Sequence, residues 1–252
     1  MQSMPALQDG ARTFVNYCLN CHSASMMRFN RLQDIGLTDE QISGSLQFTE
    51  GRVGDLMKVA MRHEDGKAWF GAAPPDLSVE ARARASESGS GADWIYTYLR
   101  SYYRDGSRET GWNNAIFPNV GMPNPLWQWQ GMRGAVEERV APVTDEATGK
   151  VTGWTKTTIT YDREGNKSEK VEKVDGDGLH EGTHFTLGTP EGGTLSQAEF
   201  DDKVANLVAF MKFMSDPSAS TRGRLGIWVL LFIALFVGCT WWLNREYWKD
   251  IK

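Results

Sequence analysis

Apolar side chains recur every three or four residues in several stretches of the chain, a spacing that places them on one face of a helix. Polar residues at the starts of two of these stretches fit helix N-termini: Asp93 opens an aromatic segment, and Ser196 and Glu199 have the spacing of a capping box. On this pattern we predict helices over residues 5–20, from Thr38 onward, over 53–61, over 93–103 and over 196–214.

Two kinds of segment interrupt the helical pattern. Prolines at 74 and 75, and again between 118 and 125, predict stiff loops because proline does not continue a helix. Between about 140 and 193, runs of Thr, Val and Lys surround the turn sequence at 162–166, which predicts a peripheral β-hairpin. The expected fold class is mostly α, with this hairpin excursion as an insertion.

One segment near the C-terminus is apolar all round. Residues 225–243 contain no charged side chain, and a helix of that length spans roughly 28 Å, close to the ~30 Å hydrocarbon core of a bilayer. Basic residues flank both ends, and Trp and Tyr side chains near the last turn suit the membrane interface. We therefore predict a globular domain over 1–221 and a membrane anchor with a short tail over 222–252.

Charge restricts the partners of the globular part. Residues 1–221 hold 22 basic and 30 acidic side chains, a net charge of −8. Such a surface repels nucleic acid and favours basic protein partners, with an association rate that falls as salt increases. Nucleic-acid binding is therefore not expected.

The motif that carries chemistry is Cys18-Leu19-Asn20-Cys21-His22. This C-x-x-C-H spacing is typical of covalent haem attachment, in which both cysteines form thioethers and the adjacent histidine ligates iron. Three alternatives stay open: a zinc site, which needs further Cys or His ligands, a dithiol redox pair, and a chance match. The motif predicts one covalent haem c.

An electron-carrying haem needs a second axial ligand on the opposite face of the porphyrin. Met122 lies in a loop stiffened by prolines on both sides, and a stiff loop loses less entropy when it holds a weak thioether bond. Pairing of histidine with methionine also raises the reduction potential. We predict His22 and Met122 as the metal ligands, with His63 or an open sixth position as alternatives; Met57, Met61, Met211 and Met214 are expected to be core residues.

These motifs, in their order along the chain, resemble the cytochrome c1 family, the haem-bearing subunit of the cytochrome bc1 (ubiquinol–cytochrome c reductase) complex. The resemblance rests on CLNCH at 18–22, GAAPPDLS at 71–78, Arg-Ala-Arg at 82–84, GMPNPLW at 121–127 and a helix leading into one C-terminal anchor. It implies a c-type cytochrome haem domain in which Met122 is the sixth ligand and Arg84 contacts a propionate. It also implies that Pro74, Trp94, Leu99 and Phe117 line the haem, with Trp94 standing where the family has a tyrosine.

The resemblance also implies an electron carrier that acts as a subunit of quinol–cytochrome c oxidoreductase without a quinol site of its own. Its partners would be cytochrome b, a Rieske iron–sulfur protein that reduces it, and a soluble or anchored c-type cytochrome that accepts the electron, in a dimeric complex. Two other functions stay open: a free-standing anchored cytochrome that passes electrons to a terminal oxidase, and a haem enzyme such as a peroxidase with His63 as base.

Haem attachment also orients the chain, because thioether formation implies export. We expect a single-pass protein of the bacterial inner membrane, with residues 1–221 on the periplasmic side and the C-terminus in the cytoplasm. The first residues lack the basic and apolar segments of an export signal, so we expect a processed chain.

Overall fold

The structure is a computed structural model that describes residues 3–49, 51–144, 150–174 and 180–250. The helices are α1 Met4–Thr13, α2 Asp39–Ser45, α3 His63–Phe70, α4 Glu80–Ala83, α5 Gly91–Leu99, α6 Trp127–Gln130, α7 Gln197–Ser215 and α8 Ala219–Tyr247, with a π-helix over Phe14–Cys18 and a 3-10 helix over Phe29–Ile35. The strands are β1 Ala24–Arg28, β2 Leu56–Met57, β3 Tyr102–Arg104, β4 Trp112–Asn114, β5 Ala135–Thr144, β6 Val151–Tyr161, β7 Lys167–Val174 and β8 Gly182–Leu187.

The main core forms where α1 crosses α7. A Cβ atom at Gly10 would lie 2.0 Å from the carbonyl oxygen of Asn206, so only glycine allows this close approach. The rings of Phe14 and Phe210 meet there at 5.5 Å between centroids. Because α1 leads through the π-helix Phe14–Cys18 into the C-x-x-C-H motif, this crossing fixes the motif against the body of the domain.

The predicted helix starts at Thr38 and Ser196 and the predicted end near 214 are confirmed. Thr38 and Ser196 each form a capping box, and α7 ends at Ser215, just before Pro217. The prediction for α5 was wrong at both ends. Ser90 is the N-cap, because its hydroxyl accepts from the Asp93 N–H at 3.1 Å. At the other end the helix stops at Leu99, and the following tyrosines form β3.

The predicted helix over 53–61 does not form. Its backbone pairs instead with the 28–30 segment, where the Phe29 and Asn30 N–H groups donate to the carbonyls of Asp55 and Val53. Met57 is fully buried in the short strand β2. Long-range main-chain pairing has overridden a weak helical pattern.

The segment predicted as a single hairpin belongs to a larger sheet, and the fold combines α and β structure instead of being mostly α. Strands β5 to β8 form a four-stranded antiparallel sheet in the order β7-β6-β5-β8. At one end of the sheet, side chains of β5 and β6 pack against β3 in a small apolar cluster of Tyr103, Ala135, Ile159 and Tyr161. Strand β7 is exposed along nearly all of its length, so the sheet lies at the periphery, as expected.

The apolar C-terminal segment forms one long helix. In the described part of the chain, α8 is the single helix long and apolar enough to cross a membrane, over Thr221–Tyr247, and none of its apolar window is buried against the domain. The predicted span of 225–243 lies inside it. A helix that leaves all of its apolar surface uncovered suits a lipid environment.

Candidate haem site

One cavity of about 340 Å³ brings the predicted site residues together. Its volume falls within the range of about 300–1,000 Å³ found for ligand and cofactor pockets. Its walls come from the first helical segment, the Pro74–Pro75 loop, α5 and the Met122 loop. All nine residues proposed from the sequence line it: Cys18, Cys21, His22, Pro74, Arg84, Trp94, Leu99, Phe117 and Met122.

The C-x-x-C-H motif forms a tight turn at the end of the π-helix. The N–H groups of Cys21 and His22 both donate to the carbonyl of Cys18, at 3.1 and 2.9 Å. This turn places both thiols and the imidazole on the wall of one cavity. Burial, together with the neighbouring Cys21, raises the pKa of the Cys18 thiol to about 12, so this sulfur carries its proton at neutral pH.

His22 is buried and held in one orientation. Its Nδ1 lies 2.8 Å from the carbonyl oxygen of Pro75. A carbonyl can only accept, so Nδ1 carries the proton and Nε2 keeps a free lone pair. Burial lowers the pKa of His22, although the hydrogen bond with Pro75 and the nearby Glu80 and Asp76 oppose this shift. The neutral imidazole that results is the form that ligates iron.

Buried asparagines hold the loop that carries Met122. The Asn113 side-chain oxygen Oδ1 accepts from the Asn119 N–H at 2.8 Å. Oδ1 of Asn114 accepts from the N–H groups of Ile116 and Phe117 at 3.0 and 3.2 Å. Asn119 itself adopts the left-handed conformation, with φ 62°, which asparagine tolerates better than most residues. The loop is therefore ordered by side-chain hydrogen bonds as well as by its prolines.

Aromatic rings on α5 form one wall of the cavity. Trp94 and Tyr98 stack with 5.0 Å between centroids, and Phe117 meets each of them edge-on. The Arg84 guanidinium covers the Trp94 ring at 4.5 Å, while its Nε donates to Glu80 at 2.6 Å. Arg84 thus sits at the cavity wall with its charge already engaged by a carboxylate.

The other ligand candidates fall in different places. His63 is exposed at the start of α3 and is not part of the cavity wall. Met57 is buried in β2, but Met211 on α7 does line the cavity, beside its role in the core. Among the described residues no group of three or more His, Cys, Asp and Glu side chains is placed to hold a metal ion, so a zinc site has no ligand set there.

The structure adds site residues that the sequence pattern did not identify. Tyr98 lines the cavity and its hydroxyl lies 3.6 Å from the Met122 sulfur. Burial raises the pKa of Tyr98 and of its neighbour Tyr102. A signal for them was present, because Trp94, Tyr98 and Tyr102 are spaced four apart. Tyr17, Pro75, Glu80, Val120 and Pro125 also line the cavity.

The donor set fits a covalently held haem. Two thiols, an imidazole with a free nitrogen and a thioether sulfur line one cavity, and these are the groups that c-type attachment and His–Met ligation require. The remaining walls are largely apolar, which suits a porphyrin ring.

Comparisons with known proteins identify the family of this chain. The family model described as Cytochrome C1 family matches residues 3–134. The chain is 40% identical over 246 residues to the ammonia monooxygenase gamma subunit of Nitrosomonas europaea, which covers 98% of this chain and 83% of that protein. It is 35% identical over 252 residues to cytochrome c1 of Allochromatium vinosum, covering all of this chain and 86% of the relative. Cytochrome c1 of Rhodospirillum rubrum is 24% identical over 269 residues, covering 98% of this chain and 82% of the relative. This chain is a member of the cytochrome c1 family.

Proposed function

We propose that this chain is the electron-transfer subunit of a respiratory cytochrome bc1 complex. It would accept an electron from a Rieske iron–sulfur protein and pass it to a soluble c-type cytochrome during quinol oxidation. The observation that carries the proposal is the shared cavity of Cys18, Cys21, His22 and Met122, in a chain of the cytochrome c1 family that has an apolar helix suited to anchoring.

The proposal gives a role to each of the nine site residues predicted from the sequence. Cys18 and Cys21 would hold haem c through two thioethers, and His22 and Met122 would supply a nitrogen and a sulfur ligand to its iron. Arg84 would hold a propionate from its place in the cavity wall, and Pro74, Trp94, Leu99 and Phe117 would shape the pocket. Bound haem c supplies a reversible one-electron couple.

The protein around the site would keep water away from the iron and leave an edge open for transfer. His22 and Leu99 are buried, whereas the Phe117 side chain is 45% exposed. We propose that Phe117 lies near the edge through which electrons pass. The anchor α8 would hold the domain beside cytochrome b, in a dimeric complex, with residues 1–221 on the periplasmic side.

The subunit composition of the intact complex tests this function. The full-length chain is purified in mild detergent from its own membrane, and the preparation is examined by visible spectra, by electron paramagnetic resonance and by haem staining after acidic acetone. We expect haem that resists acidic acetone, b-type haems, the signal of a Rieske cluster, and reduction of the c-type haem on adding a quinol.

Other outcomes separate the competing functions. A chain with covalent haem that never brings down a b-type cytochrome or a Rieske protein would support a free-standing carrier instead. One relative is named as an ammonia monooxygenase subunit, so co-purification with an ammonia-oxidising enzyme would also overturn the bc1 assignment. Loss of all pigment to acidic acetone would contradict covalent haem attachment itself.

A further inference from the structure

Two tyrosine hydroxyls lie in a line that ends on the Met122 sulfur. The Tyr102 hydroxyl lies 2.7 Å from the Tyr98 hydroxyl oxygen, and the Tyr98 hydroxyl lies 3.6 Å from Met122 Sδ. Both distances are within hydrogen-bonding range for their atom types. The two hydroxyls and the sulfur form a continuous series of hydrogen-bonding groups that ends in the cavity.

Burial determines which hydroxyl donates and which accepts in this series. Tyr102 is fully buried, and within the described part of the molecule its hydroxyl has the Tyr98 oxygen as its partner. If Tyr98 donated to Tyr102, the Tyr102 proton would be buried without an acceptor, which costs free energy. If Tyr102 donates to Tyr98, the Tyr98 proton is free to point at the sulfur, and both protons are satisfied.

The surrounding rings keep the Tyr98 hydroxyl in this position. Trp94 stacks on one face of the Tyr98 ring, and the rings of Phe117 and Tyr102 meet it edge-on at 6.3 and 5.3 Å between centroids. The Asn114 amide also donates to the Tyr98 carbonyl at 2.8 Å. The same Asn114 side chain orders the start of the Met122 loop, so donor and acceptor are placed by one network.

We infer that Tyr98, oriented by Tyr102, donates a hydrogen bond to the Met122 sulfur and thereby raises the reduction potential of the bound haem. The inference rests on the proposed ligation by Met122. A donated hydrogen bond withdraws electron density from the sulfur, and the ferric state needs that density more than the ferrous state does. Hydrogen bonding around an axial ligand is one of the means by which a protein sets a haem potential.

Phenylalanine variants of the full-length, haem-loaded chain in detergent separate this role from a structural one. Tyr98→Phe removes the donor to sulfur and leaves the Tyr102 hydroxyl buried without a partner. We expect the ratio of reduced to oxidised protein at a fixed potential to fall about tenfold, about 60 mV for a one-electron couple. The unfolding equilibrium should also shift about tenfold or more toward the unfolded state.

Two further variants give a pattern that a purely structural role would not produce. Tyr98→Phe/Tyr102→Phe removes both hydroxyls, so stability should recover relative to Tyr98→Phe while the potential stays low. Tyr102→Phe leaves the Tyr98 donor in place and should move the potential much less. Tyr96→Phe is the matched control, because Tyr96 is on the same helix but outside the cavity wall.

The readouts are redox titration, thermal unfolding and the sulfur-to-iron charge-transfer band of the ferric protein. A potential that recovers together with stability in the double variant would overturn the inference, as would an unchanged potential in Tyr98→Phe. In both cases a charge-transfer band that is present in the unsubstituted chain and lost in Met122→Leu would leave ligation by Met122 intact. Absence of that band from the unsubstituted chain would overturn ligation by Met122, and the hydrogen-bond inference with it.

Discussion

Two methionine sulfurs line the same cavity, but they are held in different ways. Met122 lies on a loop whose backbone is bound by Asn113 and Asn114, and it has a hydroxyl donor beside its sulfur. Met211 is on α7 and is only 3% exposed, as part of the helical core. The placement of Met122 on a separately ordered loop favours it as the axial ligand.

Matched leucine substitutions distinguish the two sulfurs. Met122→Leu should leave haem attached, because Cys18, Cys21 and His22 are unchanged. It should lower the reduced-to-oxidised ratio at fixed potential at least tenfold, about 60 mV or more, and allow the ferrous protein to bind carbon monoxide. Met211→Leu removes the other thioether sulfur and should neither lower this ratio nor allow carbon monoxide to bind. Redox titration and carbon monoxide difference spectra check this, and the reverse pattern would assign the ligand to Met211.

The C-x-x-C-H motif and the loop that carries Met122 could be predicted from the residues themselves, whereas the other five proposed site residues followed only from the family resemblance. Cys18, Cys21 and His22 lie within one turn, so their proximity does not depend on the rest of the fold. Tyr98 was missed because its role depends on a loop 24 residues further along folding back onto α5. The Pro75 carbonyl was missed for a different reason, since a backbone acceptor has no side chain to identify it.

At the scale of elements, a charged cluster ties α1 to α7. Asp9 accepts from Lys203 at 2.5 Å and from Asn206 at 2.9 Å. Partial burial opposes ionisation of Asp9, but these hydrogen bonds and the nearby charges of Lys203 and Arg12 prevail and lower its pKa below the ordinary value of 3.8. Helix α1, which leads through the π-helix to the C-x-x-C-H motif, is therefore held partly by an ionised carboxylate.

This cluster predicts a pH-dependent contribution to stability. Asp9→Asn should lower the free energy of unfolding by about 1 kcal/mol at neutral pH, a modest value because the pair is partly exposed to solvent. A lowered pKa contributes stability that is fully present above 3.8 and lost as the pH falls through the folded-state value. The difference from the unsubstituted chain should therefore be constant near neutral pH and shrink in acid.

Thermal unfolding across the pH range measures this contribution. Asp202→Asn removes an exposed carboxylate from α7, the helix that carries Lys203 and Asn206; it serves as the control and should have little effect. A destabilisation by Asp9→Asn that persists unchanged in strong acid would show that packing, and not charge, is responsible.

Local signals predicted helices better than strands. The capping boxes at Thr38 and Ser196 are confirmed because each is a contact within four residues. Apolar spacing predicts helices over the 53–61 segment and at Tyr102, but main-chain pairing places Leu56, Met57 and Tyr102 in short strands. Likewise β8 pairs with β5 across more than forty residues, which no local pattern in the sequence reveals.

For the whole molecule, the structure combines a globular domain with one long apolar helix. The span at 225–243 was predictable because an uncharged apolar run of that length is typical of a membrane-spanning helix and rare in a helix that packs on a globular core. The side of the membrane on which each end lies is a proposal that follows from haem attachment.

Cysteine labelling of intact cells or spheroplasts tests that orientation. Ser168→Cys places a thiol on the exposed strand β7, and Asp250→Cys places one in the tail. A membrane-impermeant maleimide should label the first variant in intact spheroplasts and the second only after the membrane is opened. Labelling of the unsubstituted chain gives the background from Cys239, and the opposite pattern would reverse the proposed topology.

The contact between His22 and the Pro75 carbonyl has a consequence for how this site can vary. A main-chain acceptor cannot be exchanged by point substitution, and it carries no titratable charge of its own. The electron-donating strength of the imidazole therefore does not change through side-chain substitution or protonation of its hydrogen-bond partner. Variation in redox properties among relatives of this chain would then arise mainly on the sulfur side of the ring, where replaceable side chains make the contacts.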